Sequence, residues 1–274
     1  MRYLPSARET ARMSTDELRA AFLVTDLWKT GECTMRFAEL DRVALGGALP
    51  AFDPIPLPNP PELAAEYFLE RRELGVLNIG GAGSVQVDGT DYALGSRDGL
   101  YIGRGSREVV FASDDAVEPA RFYLVSYPAH AAYPIRRVTP GEVYSAELGS
   151  QEGANRRTLR RYFHPEGVKT AQLVMGVTTL APGSVWNTMP AHTHARRTEV
   201  YLYFDVPTEA VVFHMMGEPT ATRDLVVRDG DVVLSPGWSI HAGVGTAAYT
   251  FCWAMGGENQ EFGDMQGVAM TELR

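Results

Sequence analysis

Beyond its first two dozen residues the chain is cut into short β-rich runs by Gly, Asp and Pro, and helical periodicity all but disappears. Gly83-Ser-Val-Gln-Val-Asp88, the Asp88-Gly89 turn and Thr90-Asp-Tyr-Ala-Leu94 set the pattern. Val109-Val-Phe111, Arg121-Phe-Tyr-Leu-Val125 and Glu199-Val-Tyr-Leu-Tyr-Phe204 continue it. Many short strands with turn residues between them predict a β-sandwich or barrel, because period-two side chains cover a sheet and leave no stripe for a helix. The one clear helix signal is Ser14-Thr-Asp-Glu17 before Leu18, Ala21 and Phe22, a capping box that satisfies free N–H groups at a helix start.

A length of 274 residues fits two domains or one large β architecture. Six prolines between Pro50 and Pro61 mark an extended loop, since proline cannot donate to a sheet ladder. A second Pro-rich stretch, Pro128 to Pro140, is the expected seam between units at 1–135 and 136–274. An internal echo supports two similar units: Arg97-Asp-Gly99 leads into one β run and Arg228-Asp-Gly230 into another, 131 positions on. Gly80-Gly-Ala-Gly83 lacks the GK[ST] and following helix of a phosphate loop and is expected to be a tight hairpin turn.

Against 25 basic residues stand 34 acids, a formal charge of −9, which opposes a nucleic-acid or anionic-membrane partner but not a small anionic substrate met by local arginines. Cys33 and Cys252 are too few for a disulfide framework. No run approaches the roughly 18 apolar residues of a membrane span, and the N-terminus lacks a signal-peptide core, so a soluble cytoplasmic protein is expected.

The chemistry concentrates in Met189-Pro-Ala-His192-Thr-His194-Ala-Arg-Arg-Thr-Glu199. Residues two apart on a strand share a face, so His192 and His194 point the same way, and Glu199 returns to that side after a short bend. Two imidazoles and a carboxylate suit Zn(II), Fe(II), Mn(II) or Ni(II). A fourth ligand is expected from His241, in Gly230-Asp-Val-Val-Leu-Ser-Pro236-Gly-Trp238-Ser-Ile-His241. His214, His130 and His164 read as structural, and the first half has no HxH, so its unit should carry no metal. Tyr201 and Tyr203 share the parity of Glu199 and are expected at the pocket, with core or rim packing as the competing reading.

These two segments resemble the paired motifs of the cupin superfamily, with Trp238 where the second motif has Gly and Gly245 where it has Asn. Longer phrases narrow the resemblance. Tyr67-Phe-Leu-Glu-Arg-Arg-Glu-Leu-Gly-Val-Leu-Asn-Ile-Gly80, Trp186-Asn-Thr-Met-Pro190, Val212-Phe-His-Met-Met-Gly217 and Trp238-Ser-Ile-His-Ala-Gly-Val-Gly245 are similar to the 4-deoxy-L-threo-5-hexosulose-uronate ketol-isomerase family. That resemblance implies a mainly β bicupin, two stacked β-barrel (jelly-roll) units with a short N-terminal helix. It also implies one zinc per chain on His192, His194, Glu199 and His241, a homohexamer, and aldose–ketose isomerisation of a deoxy-keto-uronate in pectin breakdown. The rival readings are an Fe(II) cupin dioxygenase and a non-catalytic carbohydrate-binding cupin. The general base is not identified. For the substrate carboxylate Arg161 is preferred to Arg197, which is read as alternating away from Glu199.

Overall fold

The computed structural model describes residues 1–274. It is mainly β, with helix confined to α1 (Ala7–Thr10), α2 (Thr15–Phe22) and two single 3-10 turns. Ser14 caps α2 and Glu17 returns a hydrogen bond to the cap, as the sequence predicts. Ser6 and Glu9 build the same reciprocal cap on α1, a helix too short to show periodicity but carrying the same Ser-x-x-Glu signature.

Two compact units form, and each draws on more than one stretch of chain. The first takes Met1–Arg2, Asp26–Tyr144 and Tyr162–Val174; the second takes Tyr3–Thr25, Ser145–Arg161 and Met175–Arg274. A single cut at 135/136 is therefore corrected near the N-terminus, where Tyr3–Thr25 joins the second unit, and at the seam, where residues 136–144 and 162–174 stay with the first. The physical reason lies in α2 and the residues after it. Leu18 and Phe22 bury its apolar face, and Leu23–Val24 then pairs with Val232 and Val233, which commits the N-terminal segment to the second unit.

In the first unit, a six-stranded antiparallel sheet runs in the order Arg136–Val138, Gly99–Ile102, Arg72–Asn78, Phe122–Pro128, Ala44–Ala48, Cys33–Phe37. A four-stranded sheet runs Ile55–Pro56, Val109–Ser113, Gly83–Val87, Thr90–Leu94. Leu74, Val76, Leu100 and Phe122 from one sheet share a buried core with Val85, Val87 and Phe111 from the other. Gly80 to Gly83 crosses between these two sheets and is not a hairpin turn. A Cβ on Gly81 would lie 1.9 Å from the Glu118 carbonyl oxygen, so glycine is there to let two backbones approach.

The second unit repeats the plan on a seven-stranded sheet, Leu23–Val24, Val232–Ser235, Arg197–Phe204, Thr250–Gly257, Val174–Leu180, Arg157–Phe163, Tyr144–Leu148. Its four-stranded sheet is Trp186–Asn187, Ala242–Gly245, Val212–Glu218, Ala221–Val227. The sheets of both units are open; none closes on itself into a barrel.

The internal echo is structural, but two positions out of its sequence register. Asp98 accepts the Gly95 N–H at 3.0 Å, and Asp231, 133 positions on, accepts the Arg228 N–H at 2.8 Å. The same turns then bond Asn78 N to Asp98 O and Tyr203 N to Asp231 O, both at 3.0 Å. Counting back along the paired strands, Leu74 opposite Ile102 answers to Glu199 opposite Ser235. Where the second unit has a buried carboxylate, the first has a leucine buried among apolar side chains.

Candidate metal centre

Three strand segments of the second unit deliver the cluster. His192 lies on His192–Thr193, Glu199 on Arg197–Phe204, and His241 immediately before Ala242–Gly245. Between the first two, the chain turns at Ala195-Arg196, where the His194 N–H donates to the Gly237 carbonyl at 3.1 Å. A Cβ on Gly237 would stand 2.4 Å from the His194 carbonyl oxygen, so this glycine of the second motif is what lets the first motif close over it.

The four side chains meet. One ligand atom from each of His192, His194, Glu199 and His241 lies within 4.8 Å of all the others. His241 Nε2 is 2.9 Å from His192 Nε2 and 3.1 Å from Glu199 Oε2, and His194 Nε2 is 3.3 Å from that same oxygen. For metal–nitrogen bonds of about 2.0–2.1 Å the edge of a tetrahedron is roughly 3.3 Å, so these separations suit ligands around one small cation. The rings of His194 and His241 lie parallel, 6° apart, and His192 stands nearly perpendicular to both.

Protonation fits the same reading. Burial pushes His192 down to about 4 and His241 to about 3, in each case against the pull of Glu199. Burial alone would raise Glu199, but the surrounding imidazoles outweigh it and hold the carboxyl at about 2. Neutral imidazoles beside an ionised carboxylate are the forms that bind a metal. His194 Nδ1 lies 3.1 Å from the Asp264 carbonyl, a partner that fixes the ring with Nε2 toward the cluster.

The cluster opens on a cavity of about 230 Å³, walled by Met189, Phe251, Trp253, Met255 and Phe262 and reached by His192, His194, Glu199 and Tyr201. Burial first and the Glu199 charge next raise the Tyr201 phenol well above its ordinary range, so it stays protonated. Tyr203 is not on the cavity. It is wholly buried, and its hydroxyl lies 2.7 Å from His214 Nδ1 beneath the site.

The residue matched by neither motif is Arg157, which lines the cavity with Nη1 donating to the Asn155 carbonyl at 2.8 Å. Arg161, on the same strand and face, does not line it; its guanidinium lies over the Phe262 ring, 3.9 Å from the ring centre. Arg197 shares the Glu199 face, as residues two apart on a strand must, and is 2 % exposed. It braces the cluster from behind, with Nη2 2.9 Å from the Asp264 carbonyl. Arg157 and Arg161 share one face of the strand Arg157–Phe163, and how far along it the cavity opens was not in the sequence.

The sequence model of the KduI/IolB family matches residues 28–268. The chain belongs to the KduI/IolB family. Within it, the chain is 53% identical over 276 residues to a 4-deoxy-L-threo-5-hexosulose-uronate ketol-isomerase of Kineococcus radiotolerans, covering 100% of this chain and 99% of that one. The enzymes of that name from Lachnoclostridium phytofermentans and Escherichia coli are 50% and 52% identical, covering 100% and 96% of this chain and 99% and 95% of theirs. In fold this KduI/IolB chain is similar to an IolB-like protein from Salmonella typhimurium, with a TM-score of 0.74 at 17% identity over 90% of this chain and 96% of that one. It is also similar to an oxalate decarboxylase of Bacillus subtilis, with a TM-score of 0.57 at 11% identity over 80% and 70%.

Proposed function

We propose that the chain is a zinc-dependent ketol-isomerase of uronate catabolism. It would convert 4-deoxy-L-threo-5-hexosulose uronate to 3-deoxy-D-glycero-2,5-hexodiulosonate. The observation that carries this reading is that one apolar-walled cavity holds both the His/Glu cluster and a lone guanidinium, Arg157. The relatives that bear this activity in their names, about half identical over their full length, support it.

In the reaction a proton leaves C2 and returns at C1, the O2 hydroxyl gives up its proton and the O1 carbonyl gains one. His192, His194, Glu199 and His241 would hold the zinc, which when bound supplies Lewis acidity for the negative charge that builds on the two oxygens. Arg157 takes the substrate carboxylate through its fork of N–H donors. That pins one end of the open chain and leaves the other at the cluster. Tyr201, kept protonated, donates to an oxygen of the reacting end and does not compete as a base. The apolar wall of Met189, Phe251, Trp253 and Phe262 excludes water, which strengthens each of these contacts.

The reading extends to both units being cupin folds, to a homohexamer, and to a cytoplasmic location. The last is in keeping with the finding that no helix is long and apolar enough to cross a membrane. The test is turnover of the deoxy-keto-uronate by purified protein before and after chelation, with zinc added back. Ketose formation that disappears with the metal and returns with it supports the proposal. Oxygen consumption, or no ketose from the zinc-loaded protein, overturns it.

A further inference from the structure

A second cavity, of about 460 Å³, lies wholly within the first unit and has no part in the metal centre. Four arginines line it, Arg42, Arg71, Arg72 and Arg104, together with His130 and a single acid, Glu70. In a chain with a net charge of −9 this is a local reversal of sign.

Arg72 is the telling residue. It is 6 % exposed, and its guanidinium meets only neutral acceptors: Nε donates to Ser126 Oγ at 3.0 Å, and Nη2 to the Ser126 and Arg42 carbonyls at 2.8 and 2.6 Å. Nη1 makes no hydrogen bond to the protein, and no carboxylate forms an ion pair with this side chain. The adjacent Glu73 is on the opposite face of the strand, where Tyr101 Oη and the N–H groups of Ala171, Gln172 and Leu173 already occupy its two oxygens at 2.7 Å each. A buried cation without a counter-ion is costly, and it is normally retained only where something of opposite charge completes it. Burial, with the Arg42 charge added, draws Arg72 down to about 10, and it remains charged at neutral pH.

The rim is built to receive that charge. Arg104 is held by the neutral Glu70 and Ala129 carbonyls at 3.0 and 3.2 Å, and the one carboxylate that feels its charge, Glu70, is shared with Arg71. Arg42 and Arg71 have carboxylate partners, Glu39 at 3.0 Å and Glu70 at 3.5 Å, but both are more than half exposed, where such pairs are weak and exchangeable.

We propose that this cavity of the first unit binds a small organic anion through a phosphate or carboxylate group placed on Arg72 and Arg104. The planar forks of the two guanidinium groups match either oxyanion. The cavity volume leaves room for an attached sugar-sized body.

The test is calorimetric titration of the metal-loaded protein with inorganic phosphate, glucose 6-phosphate and glucuronate, at low and high salt. Parallel titrations of R157A count any binding in the metal cavity separately. At least one anion is expected to bind in a salt-sensitive way, and the three arms distinguish phosphate ester, free phosphate and carboxylate. R104A, an exposed change, should weaken that binding about ten- to a hundredfold, the loss of one charge-assisted contact. R72M should abolish it. Both variants should keep wild-type metal content. If R72M fails to fold, R104A decides alone. Three results overturn the proposal: no binding up to about 10 mM of any anion, binding unchanged in R104A, or an R104A chain that dissociates into smaller species. The last would make the arginines a contact between copies of the chain.

Discussion

Phe22 meets Trp238 edge to face, with ring centroids 6.4 Å apart and planes at 82°. The first residue closes α2; the second stands in the motif that holds His241, at a position where the cupin pattern has glycine. The departure from that pattern is thus where the N-terminal helix is anchored. The contact couples a segment far away in sequence to His241 of the His/Glu cluster, three residues beyond Trp238.

From this coupling, F22A should cost about 3–5 kcal/mol of stability, the usual loss for emptying a fully buried aromatic site. Chemical denaturation measures the loss, and the rate at which a chelator strips the metal should rise in parallel. A variant with wild-type stability would show that α2 is merely appended.

The metal assignment predicts that H192A and H241A each bring the metal from about one ion per chain to near zero, read by elemental analysis. Y203F should retain it, because that hydroxyl is spent on His214. Chelation of the wild type should lower its melting temperature by an amount that grows with the free metal originally present, since an ion that binds only the folded state stabilises it by mass action.

Arg157 and Arg161 separate two readings of one strand. R157A should raise KM for the uronate about ten- to a hundredfold, the equivalent of 1.5–3 kcal/mol, with metal content unchanged. R161A removes a guanidinium that lies on Phe262, so its effect should be about 0.5–2 kcal/mol on stability, with little change in KM. Steady-state kinetics and metal analysis on both variants check this.

His214 predicts a pH dependence of stability. Burial holds its folded pKa at about 3, whereas an unfolded histidine titrates near 6.5. Below pH 6.5 the unfolded chain takes up a proton that the folded chain refuses. The contribution is therefore fully present above that pH and is lost as pH falls toward 3. Wild-type stability should fall more steeply with acid than that of H214Q, by up to about 1.4 kcal/mol per pH unit between pH 6 and 4. Parallel slopes in denaturation series at several pH values would count against a buried neutral imidazole.

What the sequence determined by itself is what short-range chemistry fixes. The capping box at Ser14, the strand runs, the shared face of His192 and His194 and the spacing of Gly230, Pro236 and His241 all depend on residues a few positions apart. Each is present in the fold as read. Only the tertiary structure decided which sheet a segment joins and what stands opposite a side chain. Residues 3–25 went to the second unit because Phe22 and Leu23–Val24 found partners near residue 232. The repeat settled at 133 positions because the Asp98 and Asp231 turns, not the matching letters, set the register of the paired strands. Arg157 reached the cavity, Arg161 the Phe262 ring and Tyr203 the core beneath the site, although parity had marked Tyr203 for the pocket and Arg161 was the arginine preferred for the substrate. Alternation along a strand gives a side chain its face. Its depth, and the group it meets there, come from the packing of elements far apart in the chain.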